Sequence, residues 1–151
     1  MRESSARPIE ILMVEDNIDD ARLAIEALKF GNIRHRMTLV WNGIEALQFL
    51  FRQERFAQAP RPDLILLDLG LPEIDGREVL VHVKDDPDLA SIPIVILTAS
   101  REYEDRYRGE MLNVEGYLDK PVDLPKFLRL VRQLHQYWGH DVILPVAVPA
   151  H

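Results

Sequence analysis

Apolar positions along the chain follow two alternating rhythms. Ile9, Ile11, Leu12, Met13 and Val14 form a short run that ends in Glu15-Asp16-Asn17. Such a run suits a strand buried on both faces, the signature of a parallel sheet. Ala21, Ala24, Ile25 and Leu28 then recur at i, i+3, i+4 and i+7, one face of a helix. Asp19 or Asp20 is placed to cap that helix and Gly31 to end it. Met37 to Trp41 predicts a second strand, and Ile44, Leu47, Leu50 and Phe51 share a face of a second helix. Asp63-Leu-Ile-Leu-Leu-Asp68 is the strongest strand of all. Val79, Leu80 and Val83 mark a third helix after Gly76, and Ile94 to Leu97, behind Pro93, a fourth strand. Residues 102–112 predict a fourth helix, weakened at its end by Gly109. Gly116 to Leu118 is a short fifth strand stopped by Pro121. Leu124, Phe127, Leu128, Val131, Leu134 and Trp138 outline a fifth amphipathic helix.

Five strand–helix units in succession predict an α/β fold, a doubly wound parallel sheet with helices on both faces. In such sheets ligands bind beyond the carboxyl ends of the strands. The residues just past each strand are therefore informative. The first strand ends in Glu15-Asp16, the third in Asp68, the fourth in Thr98-Ala99-Ser100 and the fifth in Asp119-Lys120-Pro121.

Composition narrows the chemistry. With no cysteine, disulfides, thiolate catalysis and cysteine-ligated metals are excluded. A formal net charge of −7 argues against nucleic acid as the partner, because phosphate binding needs a basic field. Residues 1–8 are polar and lack the apolar centre of a signal peptide. No apolar run approaches the roughly 18–20 residues of a membrane span. These features predict a soluble cytoplasmic protein without a membrane partner.

Three acids, a hydroxyl and a lysine meet at one edge of this expected sheet. Taken singly, each has an ordinary reading. Glu15-Asp16 resembles first-turn charge on a helix, Thr98 a strand end and Lys120 a solvated cation. Asp68 resists such a reading, since burying an unpartnered carboxylate is costly. Together, Glu15, Asp16 and Asp68 concentrate negative charge that a hard divalent cation relieves. Few carboxylates plus water suit Mg²⁺. An aspartate nucleophile beside a metal, a lysine and a hydroxyl make a phosphoryl-acceptor site.

These residues resemble the receiver domain of two-component response regulators. The run Leu66-Leu-Asp-Leu-Gly-Leu-Pro-Glu-Ile-Asp-Gly76 is similar to that family's phosphoacceptor motif. Glu15-Asp16 matches its acidic pair, Thr98 its hydroxyl and Lys120-Pro121 its lysine–proline pair. Asp16-Asn-Ile-Asp-Asp20, Gly43-Ile-Glu-Ala-Leu47, Gly76-Arg-Glu-Val-Leu80 and Tyr137-Trp138 further resemble the small single-domain regulators of cyanobacterial phytochromes.

The resemblance implies a flavodoxin-like, five-stranded sheet of order 2-1-3-4-5 with five helices. A receiver domain would span 9–138, after an N-terminal extension 1–8 and before a tail 139–151. Asp68 would take a phosphoryl group from a sensor histidine kinase, a phytochrome by the narrower likeness. Asp16, Asp68 and the Gly70 carbonyl would bind Mg²⁺ directly and Glu15 through water. Lys120 and Thr98 would contact the phosphoryl oxygens, and Tyr117 would be the aromatic switch. The Lys120–Pro121 bond would be cis. The chain would catalyse only its own phosphorylation and dephosphorylation.

Gly70 departs from the family, which usually has a side chain there. That bears on the lifetime of phospho-Asp68 rather than on its formation. Too few residues follow Trp138 for an output domain, so the signal is expected to leave by protein contact. Tyr103 and Tyr107, spaced i, i+4, suit an interface, with burial of one of them in the core as the alternative; with Tyr117 they lead to the expectation of a homodimer through the fourth helix, fifth strand and fifth helix. The histidines show no ligand spacing, and Lys126, Arg129 and Arg132 read as a solvated helix face. Rival readings are a pseudo-receiver scaffold that takes no phosphate and an aspartyl-nucleophile phosphatase. Gly70 stands where such a phosphatase carries its second acid.

Overall fold

The computed structural model describes residues 7–69, 76–98, 114–120, 122–134 and 138. Five strands, β1 (Ile9–Val14), β2 (His35–Val40), β3 (Leu64–Asp68), β4 (Ile94–Thr98) and β5 (Gly116–Asp119), form one sheet. Their order is β2-β1-β3-β4-β5 and every pairing is parallel. Four α-helices lie among the described residues: α1 (Ile18–Phe30), α2 (Gly43–Leu50), α3 (Gly76–Asp85) and α4 (Leu124–Gln133). The helix expected at 102–112, with Tyr103 and Tyr107, lies outside the described residues.

Strand side chains alternate between two apolar layers. Ile11, Met13, Leu64, Leu66, Val95 and Leu97 pack with Ala24, Ala27 and Leu28 of α1 and with Phe127, Leu128 and Val131 of α4. Leu12, Val14, Ile65, Leu67, Ile94 and Ile96 pack with Ala46 and Phe49 of α2 and with Val79, Leu80 and Val83 of α3. Both faces are covered, so β3 can be apolar at four successive positions and every one of its residues is buried. Asp68 closes that strand at its carboxyl end.

The helix ends differ from expectation in an instructive way. Asn17, not Asp19 or Asp20, caps α1; its Oδ1 accepts the backbone N–H groups of Asp19 (2.9 Å) and Asp20 (3.2 Å). At the other end Gly31 stands at the cap, but its φ is −83°. Asn32 takes the left-handed conformation at φ 58°. Ile33 N–H then bonds to Leu28 O and Asn32 N–H to Lys29 O, which closes the helix without a glycine in the strained position. Gly31 packs closely on α4 instead: a Cβ there would lie 2.6 Å from Leu128 Cδ2, so that side chain would have to shift.

Asp63, just before β3, ties down both flanks of the chain. Its carboxylate accepts two bonds from Arg7, at 2.6 and 2.9 Å, and one from Glu10 N–H at 2.8 Å. Its carbonyl accepts the Trp138 indole N–H at 2.6 Å. The fifth amphipathic pattern runs on to Trp138, whereas α4 is described to Gln133 and closes on Leu134. Trp138 still packs against the first apolar layer.

Candidate active site

Each strand delivers its residue to the same edge by the pairing register. Glu15 follows β1, and its N–H continues the ladder to Val40 O at 3.0 Å. Asp68 pairs with Leu97, which sets Thr98 one residue further on β4, and Thr98 pairs with Asp119, immediately before Lys120. Gly76 allows α3 to begin against the end of β3; a Cβ there would lie 2.9 Å from both Asp68 O and Leu69 Cα. Real Cβ atoms do not tolerate that approach to backbone, so α3 would have to move away from the Asp68 strand end.

The structure brings Glu15, Asp16, Asp68 and Lys120 together. One carboxylate oxygen from each acid lies within 4.8 Å of the others. Glu15 is fully buried, Asp68 is 6 % exposed and Asp16 is open to solvent. Lys120 Nζ stands 2.7 Å from Glu15 Oε1, 2.9 Å from Glu15 Oε2 and 2.9 Å from Asp68 Oδ2. It also meets Asp20 Oδ2 at 3.4 Å. Glu15 Oε2 accepts Asn17 N–H at 3.1 Å as well.

Burial and charge act in opposite directions here. Desolvation pushes the Glu15 carboxyl up to about 7, helped by the negative charge of Asp68 and resisted by Lys120 and the Asn17 N–H. For Lys120 burial alone would favour the neutral amine, but its bonds to Glu15 and Asp68 outweigh burial and raise its pKa. Lys120 thus stays an ammonium ion at neutral pH. The donor set fits a divalent cation such as Mg²⁺: three carboxylates within one ion's reach, all oxygen.

This gives a stability prediction for the metal-free protein. Glu15 binds its proton more tightly when folded, near 7, than at the ordinary 4.5. Between those values the folded state holds more protons, so the contribution of this group falls as pH rises from about 4.5 to about 7. Urea unfolding of the wild type and Glu15→Gln in EDTA checks it. Wild type is expected to lose on the order of 2 kcal/mol relative to the variant across that window. Parallel pH curves would refute the assignment.

Of the other sequence-predicted residues, Tyr117 lies on β5, half-buried against the second apolar layer. Thr98 ends β4; its side chain, Gly70, Ser100 and Pro121 lie outside the described residues, and so does the tail 139–151. Asp20, by sequence a candidate helix cap, is instead a partner of Lys120. A groove of about 590 Å³ is lined by Phe51, Arg52, Arg61, Asp88 and Leu89. It opens at the amino edge of the sheet and shares no residue with this cluster.

The residue pattern that defines the response regulator receiver domain matches positions 11–132. The chain belongs to the response-regulator receiver family. This receiver is 42% identical over 147 residues to response regulator Rcp1 of Synechocystis sp., an alignment covering 97% of this chain and 100% of the relative. Rcp1 has been solved in a Mn²⁺-bound form, which the receiver matches with a TM-score of 0.71 over 92% of its length and 100% of that chain. The phosphorylated cyanobacterial phytochrome response regulator RcpA matches at a TM-score of 0.72 and 40% identity, covering 92% of this chain and 99% of the other. Bacteriophytochrome response regulator RtBRR matches at 0.80 and 34%, covering 95% and 85%. No helix among the described residues is long and apolar enough to cross a membrane.

Proposed function

We propose that this receiver accepts a phosphoryl group from a sensor histidine kinase onto Asp68 and passes the signal on by protein contact. The observation that carries this reading is the bridge from Lys120 Nζ to Glu15 and Asp68 within a three-carboxylate cluster. An Asp68 oxygen attacks phosphorus in line with the imidazole of the donor phosphohistidine. The P–N bond breaks as the P–O bond forms, and its electron pair leaves with the imidazole nitrogen. Asp16, Asp68 and the Gly70 carbonyl would hold Mg²⁺, with Glu15 bound through water. The ion would neutralise charge on the transferring oxygens.

Lys120 contributes the second positive charge, fixed before the donor arrives, so little reorganisation is needed at transfer. The product carries about −1.5 to −2 charge. Thr98 turns toward it and Tyr117 moves into the space left, reshaping the surface around β5. A homodimer through that face, using Tyr103, Tyr107 and Tyr117, belongs to the same reading. The likeness to Rcp1, RcpA and RtBRR favours a phytochrome as the kinase and a cytoplasmic setting. Residues 9–138 form the receiver unit, flanked by 1–8 and 139–151.

The test is covalent labelling. With acetyl phosphate and Mg²⁺, intact-mass measurement is expected to show one added phosphoryl group on the wild type and none on Asp68→Asn. A phosphorylated phytochrome kinase should transfer its label in the same pattern. Label retained by Asp68→Asn, or an unmodified wild type, would overturn the proposal.

A further inference from the structure

An ammonium group has three N–H donors, and Lys120 meets three carboxylates. Two of them, Glu15 and Asp68, belong to the metal-sized cluster. The third, Asp20, stands outside it in the first turn of α1, 3.4 Å from Nζ and 18 % exposed. The Asn17 cap accepts the Asp20 backbone N–H and so fixes the turn that carries this carboxylate. Once Asp68 is converted to an acyl phosphate and Glu15 faces a cation, the carboxylates of both have weaker claims on the lysine. Asp20 is the partner that neither metal nor phosphoryl group takes.

We propose that Asp20 is a positioning residue, holding Lys120 at the mouth of the cleft so that its ammonium meets the transferring phosphoryl oxygens. The inference rests on the phosphoacceptor reading above and goes beyond it. A lysine side chain is a point charge on a flexible four-carbon stem. Without Asp20 it is drawn by Glu15 and Asp68 alone, and misplacement of this kind slows transfer. The pair is partly shielded, with 10 % of the lysine side chain exposed, so solvent does not fully screen it.

The test is a double-mutant cycle read by the rate of Asp68 phosphorylation from acetyl phosphate in saturating Mg²⁺. Asp20→Asn is expected to lower the limiting rate about 3- to 10-fold without raising the acetyl phosphate concentration needed for half-maximal rate. In a Lys120→Ala background the same substitution is expected to change nothing further, because the residue acts through the lysine. Asp20→Glu, which keeps the carboxylate, should recover at least part of the rate. Calorimetric Mg²⁺ titration should give the same affinity for wild type and Asp20→Asn within about 2-fold.

An unchanged or faster Asp20→Asn protein would overturn the proposal, as would an equal loss in the Lys120→Ala background. A fall in Mg²⁺ affinity matching the rate loss would assign Asp20 to the metal and also overturn it. If the wild type itself takes no phosphate, the phosphoacceptor reading fails and this inference with it. A labelled wild type with an unaffected variant sinks the inference alone.

Discussion

Replacing Lys120 with methionine is expected to destabilise the metal-free protein by about 3–5 kcal/mol at neutral pH, the usual cost of removing one partner from a buried ion pair. Methionine fills much of the same volume but leaves Glu15, fully buried, and Asp68, 6 % exposed, facing each other without a cation. Two observations set how the loss should vary. Glu15 is already pushed up to about 7 by burial and by Asp68, and removing the lysine takes away the group that resists this. The variant should therefore hold a proton on Glu15 at pH 5, and the deficit should shrink there. Mg²⁺ should recover part of the loss at pH 7.5 by standing in for the missing charge. Urea unfolding at pH 5 and 7.5, with EDTA or with Mg²⁺, checks each point. A deficit that ignores both pH and Mg²⁺ would mean that the methionine merely packs badly. Labelling by acetyl phosphate should also slow sharply, since the fixed charge that meets the transferring oxygens is gone.

Phe127→Ala is expected to cost about 3–5 kcal/mol, the usual range for emptying a large aromatic from a core. Phe127 is 1 % exposed and lies in the layer that joins α4 to β1, β3, β4 and β5. The midpoint of thermal unfolding should fall by roughly 6–20 °C. The effect should reach the site as well. Phe127 packs in the same cluster as Leu118, and two residues further along the chain is Lys120. Looser packing of β5 should slow phosphorylation of folded protein at 20 °C, while Mg²⁺ binding, which on the proposed reading draws on residues that end or follow β1 and β3, should change less. A phosphorylation rate equal to wild type under folding conditions would break that link.

These effects explain which features could be read along the chain. The run Leu64 to Leu67 announced a strand covered on both faces, and Asp68 at its end was chemically conspicuous. Glu15, Asp16 and Lys120 were legible because a parallel sheet delivers the ends of its strands to one edge. The sheet order came from family likeness rather than from periodicity, because nothing local fixes which strands are neighbours.

Other contacts depended on distant partners. Asp20 looked like one of two helix-capping acids, and only the lysine a hundred residues away reveals what its carboxylate does. Asn17 caps the helix because its Oδ1 reaches forward to the first-turn N–H groups of Asp19 and Asp20, the two residues that sequence alone offers as caps. Gly31 reads as a helix stop by conformation, yet its φ is ordinary and its close contact is with Leu128 on α4. Asp63 read as part of an apolar strand, although both Arg7 and Trp138 converge on it.

That convergence governs how the molecule presents itself. Arg7 and Trp138 grip one residue at the amino end of β3, five positions from Asp68, a rise of about 17 Å along an extended strand. The two described ends of the chain thus meet at the opposite edge of the sheet from the anionic cluster, and the contact that ties them together shares no residue with it.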